Sequence, residues 1–292
     1  MRLKLKKKKR VEGLDIFAHV VMILLGICVL YPMLNVLATS LSGSAAVLSG
    51  NITIFPMDFT LESYEYFLED DGVLNAYWNS IVYTVAGVAY NVSMTALMAY
   101  PLSRTKLVGR SVFMKIIIFT MYFSGGTIPL FLLVDEVNLM DTMWALIIPN
   151  SVWTMQMIIC INGYQAIPDS LYEAAELDGA GDFYVFTRIA LPLSKATLAT
   201  IGMQIFMSHW NSYYNPMLYL FDPNKFPLQV VLRSMLTENA EQIVGAGGMV
   251  GAVTPDGIKN AVIVLTMIPV LLVYPFVQKY FVKGALVGSV KG

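Results

Sequence analysis

Residues 173–192 read EAAELDGAGDFYVFTRIALP. Glu173-Ala174-Ala175 stands before Gly179 at the spacing E-A-A-x-x-x-G, and nine residues separate Gly179 from Ile189-Ala190-Leu191-Pro192. The segment is polar and sits between two strongly apolar stretches. A polar loop of this size inside an apolar chain works in water, where it is placed to grip a soluble partner. Its flanks decide the fold.

Those flanks are too apolar for a soluble protein. The chain has 292 residues, 57% hydrophobic and 13% charged, where soluble domains carry about 25% charged residues. Its mean hydropathy is +0.63. As a soluble globule it would expose large apolar patches. A helix needs about 20 apolar residues to cross a bilayer. Six stretches qualify, at about 16–39, 80–102, 112–134, 143–163, 197–221 and 261–277. The expected fold is all-α, with six transmembrane helices. Pro32, Gly125-Gly126 with Pro129, and Pro216 lie in or beside these stretches, which membrane helices tolerate where neighbours satisfy the freed backbone. The first run has the basic head of a signal peptide but is too long, and no clear A-x-A site follows. It reads as an uncleaved helix. Cys28 and Cys160 lie in apolar runs and read as small packing residues.

Charge sets the orientation. Seven bases lie between Arg2 and Arg10 in the segment 1–15 ahead of the first span. Arg104, Lys106 and Arg110 follow the second span, and Lys279, Lys283 and Lys291 follow the sixth. The first intervening loop carries Asp58, Glu62, Glu65, Glu69, Asp70 and Asp71 without a base, and the third carries Asp135, Glu136 and Asp141. Both termini are expected in the cytoplasm. The loop at about 164–196 then falls on the same side, and the loop 222–259 falls outside. The basic head is a topology determinant that also suits anionic membrane lipid. It abuts an apolar helix and lacks interleaved aromatics, so nucleic acid is not expected as a partner.

Within the loop, Pro168 precedes Asp169-Ser170. Asp169 or Ser170 is expected to cap a short helix ending near Leu177, with Glu173 in the capping-box position. Gly179 permits a tight turn. Asp182 is expected to cap a second helix over 183–190, and Pro192 falls just before the fifth span. The product is a two-helix knob.

These residues carry a resemblance to the EAA loop of importer-type ABC permeases. Every fixed position of that motif is present. Taken alone, E-A-A is also ordinary helix-forming composition; the I-x-L-P tail at its spacing makes the match specific. The resemblance implies that the knob is a coupling helix docking an ATPase subunit, through Glu173, Ala174, Ala175, Asp178, Gly179, Ile189, Leu191 and Pro192. Glu173 would meet a base of the partner, the two alanines would allow close approach, and Ile189 and Leu191 would pack on the membrane domain. It further implies two ATPase subunits, a second homologous permease chain and an extracellular solute-binding protein. The segment 278–284, QKYFVKG, the Lys291-Gly292 end, and Trp210-Asn211 followed by Pro216 resemble the maltose-type carbohydrate branch. Phe123-Ser124-Gly125-Gly126-Thr127-Ile128-Pro129 resembles a sub-branch for larger oligosaccharides.

The chain has no G-x-x-x-x-G-K-[ST] phosphate loop and no H-E-x-x-H, and only two histidines, His19 and His209. No catalysis, bound cofactor or metal site is expected of it, and ATP with magnesium belongs to the partner subunits. The spans are nearly free of ionisable residues, which argues against ion coupling. Candidates to line a sugar path are Asn79, Tyr83 and Asn91, then Asn150 and Trp153, then His209, Trp210, Asn211, Tyr213 and Tyr214. Such residues equally glue helices or mark the interface. Gly245, Gly247, Gly248 and Gly251 make the outer loop flexible; by resemblance that loop reaches toward the binding protein. The competing readings are a permease for another solute, such as a peptide, and a membrane scaffold or sensor.

Overall fold

The computed structural model describes residues 13–69, 71–237 and 253–289. Among the described residues three helices are long and apolar enough to cross a membrane: Asp15–Ser40, Asp71–Ser103 and Pro255–Lys279. Three further helix pairs pass the same test only as bent pairs: Arg110–Tyr122 with Thr127–Glu136 at 111°, Trp144–Asn150 with Thr154–Gln165 at 56°, and Asp182–Leu193 with Lys195–Trp210 at 78°. An isolated bridge pairs Ser42 with Phe59.

The chain falls into two units. The first contains residues 1–69 and 238–265. Here α1 (Gly13–Ser40) is apolar on every side, and Phe17, Met22, Ile23 and Val29 are all exposed. In water such a helix would be an aggregation surface; hydrocarbon suits it. After α1 the chain folds back through α2 (Ser44–Ser49) and α3 (Glu62–Glu69). Asn35 Nδ2 donates to the carbonyls of Ile52 and Thr53 at 3.0 and 2.8 Å, and Ser40 Oγ meets Tyr64 Oη at 2.7 Å.

The second unit, residues 70–237 and 266–292, is built around α4 (Asp71–Ser103). Its buried positions include Val73, Ala76, Ser80, Thr84, Gly87, Asn91, Thr95, Ala99 and Leu102. They recur every three or four residues and most are small, so neighbouring helices approach closely. Packed around α4 come α5 (Arg110–Tyr122), α6 (Thr127–Glu136), α7 (Trp144–Ile147), α8 (Thr154–Gln165), α9 (Asp169–Leu177), α10 (Asp182–Val185), α11 (Leu191–Leu193), α12 (Lys195–Trp210), α13 (Tyr214–Tyr219) and α14 (Leu228–Thr237). The chain closes with α15 (Pro255–Ser289).

Several expected spans are not single rods. The stretch 112–134 turns at Phe123–Gly126, where Gly126 takes φ +89°. The stretch 143–163 breaks after a 3-10 turn over Ile148–Asn150, which holds Pro149, and resumes at Thr154. The stretch 197–221 is helical from Lys195 only to Trp210, then interrupted before α13. The expected open loop 222–259 has structure at both ends: a 3-10 turn at Pro223–Lys225, then α14, and the start of α15 at Pro255.

Candidate functional site

The motif segment forms two limbs joined by a tight turn. The first is α9. Its N-cap is Pro168 and no side chain caps it, so the expected capping box of Asp169 or Ser170 with Glu173 is absent. Asp169 is instead the first helical residue, where its charge favours the helix dipole. Tertiary burial replaces the cap: Tyr172 and Ala175, three apart on one face, enter the core formed by Ala99, Leu102, Cys160, Ile161, Tyr164 and Phe186. The end of α9 is a Schellman turn. Ala180 N donates to Ala175 O at 2.9 Å and Gly179 N to Glu176 O at 3.1 Å, with Gly179 at φ +75°. A residue with a Cβ would be strained there.

The second limb runs Asp182–Leu193. Gly181 is its N-cap and Asp182 lies inside it, so Asp182 does not serve as the expected cap. The limb outruns the expected 183–190, and its middle, Phe186–Ala190, is a π-turn. Pro192 explains the widening. It has no N–H, and its ring crowds the carbonyl four residues back, which a wider turn relieves. Pro192 therefore lies within this limb, and the chain then bends 78° into α12.

Ala174, Ala175, Asp178, Gly179 and Ile189 line one open concavity between the limbs, of about 670 Å³. Glu173 lies outside it, on a polar hollow of about 330 Å³ shared with Arg104, Lys106 and Asp169. Glu173, Ala174, Asp178 and Pro192 are exposed, whereas Ala175 is buried within its own chain. Ile189 and Leu191 pack against the core that holds Tyr172. The exposed large apolar side chains of the knob are Leu171, Leu177, Phe183, Tyr184 and Leu193, with Leu177 89% exposed.

A brace that motif reading missed ties the first limb down. The Arg104 guanidinium lies over the Tyr172 ring, 3.7 Å from its centroid, and its Nη2 is 3.4 Å from Glu176 Oε1. Lys106 Nζ reaches Glu176 Oε2 at 3.2 Å. Burial pushes the Tyr172 phenol up, partly offset by Arg104. Sequence reading counts Arg104 and Lys106 only as topology charges. Their partner is about seventy residues away, and no local pattern announces it.

The expected path residues separate into groups. Asn91, Asn150, Trp153 and His209 come together from α4, the α7–α8 break and α12. Asn91, 1% exposed, donates its amide N–H to the Asn150 backbone carbonyl and, through Oδ1, accepts from His209 Nε2 at 3.2 Å. The Trp153 and His209 rings stack with centroids 6.1 Å apart. The break frees the Asn150 carbonyl, and an unmet carbonyl in an apolar interior costs about 1–3 kcal/mol. Asn91 supplies its donor. Gly87 makes room for this cluster, since a Cβ there would lie 2.7 Å from the His209 ring. Trp210 is buried elsewhere, donating Nε1 to Thr266 O at 2.9 Å.

Asn79 and Tyr83 hold backbone. Asn79 Nδ2 donates to Asn224 O at 2.7 Å and Phe226 O at 3.2 Å, and Tyr83 Oη to Lys225 O at 3.0 Å. The same segment is pinned by Asp141, whose Oδ1 accepts from the N–H groups of Phe221 and Asp222 and whose Oδ2 meets Lys225 Nζ at 2.6 Å. The Lys225 hydrogen bond, followed by those two N–H groups, holds Asp141 down to about 2. Asn211 caps its own helix by donating to Met207 O at 2.8 Å. Tyr213 lies under Arg233, and Tyr214 walls a cavity beside Ser124 and Thr127. Gly245, Gly247, Gly248 and Gly251 lie outside the described residues.

The model of the family described as "Binding-protein-dependent transport system inner membrane component" matches residues 91–287. The chain belongs to this family. It is 42% identical over 294 residues to the polygalacturonan/rhamnogalacturonan transport system permease protein YtcP of Bacillus subtilis (strain 168), covering 98% of this chain and 100% of that one. It is 41% identical over 268 residues to Protein LplC of the same organism, covering 91% of each. Among solved structures, a chain of a bacterial ABC transporter involved in the import of the acidic polysaccharide alginate superposes with a TM-score of 0.86 at 34% identity. That match covers 95% of this permease and 99% of that chain. The permease is thus a multi-helical membrane component, and members of its family are not themselves enzymes.

Proposed function

We propose that this chain is one permease half of an ATP-driven, binding-protein-dependent importer in a bacterial cell membrane, and that its cargo is an acidic oligosaccharide. Six crossings place both termini and the motif loop in the cytoplasm, in keeping with the charge asymmetry. A second permease chain, two ATPase subunits and an extracellular binding protein complete the machine, and ATP is hydrolysed in the ATPase subunits. The two limbs are the knob that an ATPase groove receives, and closure of the ATPase pair swings the permease pair between inward- and outward-facing states. The observation that carries this reading is the build of the knob. It is locked to the membrane core through Tyr172 and Ala175 while presenting Glu173, Leu177 and Phe183 outward. The acidic cargo is supported by the names of the relatives, a polygalacturonan/rhamnogalacturonan permease and an alginate importer.

The test is Glu173→Lys in the reconstituted transporter. Uptake is expected to fall about tenfold or more, equivalent to about 1.4 kcal/mol of lost docking, with membrane insertion and yield unchanged. Undiminished uptake removes the docking role.

A further inference from the structure

The helices of this permease differ in what they leave exposed. α1 and α5 expose Phe17, Ile23, Phe113 and Phe119, as hydrocarbon requires. α12 does the reverse. Of its 16 residues, the exposed ones are Lys195 at its first position, Gln204 and Ser208, and none is apolar. Its buried residues are Ile201, Ile205 and Trp210. Gln204 and Ser208 are four apart, and Asn211, also exposed, follows three later, so the three share one face. A helix that is apolar toward its neighbours and polar outward meets water rather than lipid.

Gln204 lies about 14 Å along α12 from its start at 1.5 Å per residue. With the knob at the cytoplasmic surface, that depth is near the middle of a hydrocarbon core about 30 Å thick. A polar side chain there is costly against lipid. α8 brings Gln156 beside it, and Gln156 Nε2 donates to Gln204 Oε1 at 3.3 Å. The two helices pack closely: a Cβ on Gly163 of α8 would lie 2.6 Å from Thr197 Oγ1 of α12. Each glutamine has two N–H donors and a carbonyl that accepts twice. Their mutual bond fixes the pair and leaves the Gln156 oxygen and the Gln204 amino group unspent among the described residues. Such groups carry no charge and both donate and accept, as sugar hydroxyls do. Each contact is weak, which a path that must release its cargo requires.

We propose that Gln156, Gln204, Ser208 and Asn211 form the wet wall of the cargo path in this permease half, with the glutamine pair reading the hydroxyls of a passing sugar. The proposal rests on the importer reading above and deepens it. His209 and Trp210, next to this face in sequence, are instead engaged with Asn91 and Thr266.

The first assay is modification of Gln204→Cys and Ser208→Cys by a charged methanethiosulfonate in the complete transporter in nanodiscs, followed by mass spectrometry of the labelled peptide. The reagent attacks a thiolate, which forms in water. Both variants should react at least about tenfold faster than Ile116→Cys, on the apolar face of α5. Absence of modification at both positions overturns the proposal and assigns this face to contact with the second permease chain. The second assay is uptake of trigalacturonate by proteoliposomes holding the transporter, with ATP and its binding protein. Gln204→Leu and Gln156→Leu should each lower uptake at subsaturating cargo by about threefold to tenfold, the range for loss of an uncharged hydrogen bond. Basal ATPase activity and the melting temperature of the complex should not change. Wild-type uptake by both leucine variants overturns the hydroxyl contacts. So does a parallel fall in melting temperature and basal ATPase, which makes the pair a strut between α8 and α12. A wild type that imports no trigalacturonate refutes the cargo reading and takes the hydroxyl contacts with it, while the thiol rates still decide whether the face is wet.

Discussion

Removing the Arg104 side chain should loosen the first limb of the knob, and the structure apportions the loss. The guanidinium lies 3.7 Å above the ring of Tyr172, which is 2% exposed. A cation over a desolvated ring contributes about 1–2 kcal/mol. The ion pair to Glu176 is weaker: it spans 3.4 Å, and the side chains are 23% and 48% exposed, so solvent screens it to about 0.2–1 kcal/mol. Arg104→Ala should therefore destabilise docking of α9 by about 2 kcal/mol, roughly a 30-fold change in its opening equilibrium. Lys106, 74% exposed, should matter by less than about 0.5 kcal/mol. The assay is hydrogen exchange of the amides from Tyr172 to Gly179 in the assembled transporter in nanodiscs. Arg104→Ala should accelerate them about 30-fold and Lys106→Ala less than about twofold. Arg104→Lys should fall between, since it keeps charge and loses the planar stack. In a double-mutant cycle, Arg104→Ala with Glu176→Gln should couple by no more than about 1 kcal/mol, leaving the larger share to the ring. If Glu176→Gln alone reproduces the whole effect of Arg104→Ala, the stacking argument is refuted.

Two other perturbations are equally specific. Gly87→Ala would put a Cβ 2.7 Å from the His209 ring; forcing α4 and α12 apart should destabilise the permease by about 1–3 kcal/mol, and His209→Ala in the same chain should recover most of the lost melting temperature. The Asp141–Lys225 clamp should be insensitive to pH over a wide window. Asp141 is lowered from 3.8 to about 2, so its contribution is complete above the usual carboxylate value and lost as pH falls through about 2. Lys225 is raised from 10.5 by its bond to Asp141, so its share is complete below that value and lost as pH rises past the folded one. Exchange of the 221–226 amides, corrected for intrinsic rates, should be flat between about pH 4 and pH 10 and uniformly faster in Asp141→Asn.

The parts of this chain legible in its sequence are those that local chemistry dictates. The apolar runs mark the membrane helices, Gly179 marks the Schellman turn, and Gly125-Gly126 marks the 111° bend. The pattern fails where distant residues intervene. Asp169 and Glu173 satisfy a capping rule that the structure ignores, because burial of Tyr172 and Ala175 already fixes that limb. Ala175, which motif reading offers to a partner, also packs into the chain's own core. Arg104 and Lys106 look like topology charges until α9 is folded against them. Asn79 and Tyr83, expected as path-lining residues, also bond the 224–226 carbonyls, a contact about 145 residues away that no local pattern announces. Each is a residue type with two uses, and only tertiary contact chooses between them.

One element joins these separate observations. Near its start α4 holds the 224–228 segment through Asn79, Ser80 and Tyr83. At its middle Gly87 and Asn91 receive His209 and the Asn150 carbonyl. At its end Ala96, Ala99 and Leu102 share a core with Tyr172, Ala175 and Val185 of the knob. The helix has 33 residues, about 50 Å at 1.5 Å per residue. Its one internal proline, Pro101, lies in the last turn, so nothing along the rod offers a kink. The bent pairs α5–α6 and α7–α8 can absorb a displacement at their breaks; α4 cannot. The knob and the 224–228 segment are therefore joined by one unbroken helix. The segment that leads into α14 is bonded to the other end of the same rod, through Asn79, Ser80 and Tyr83.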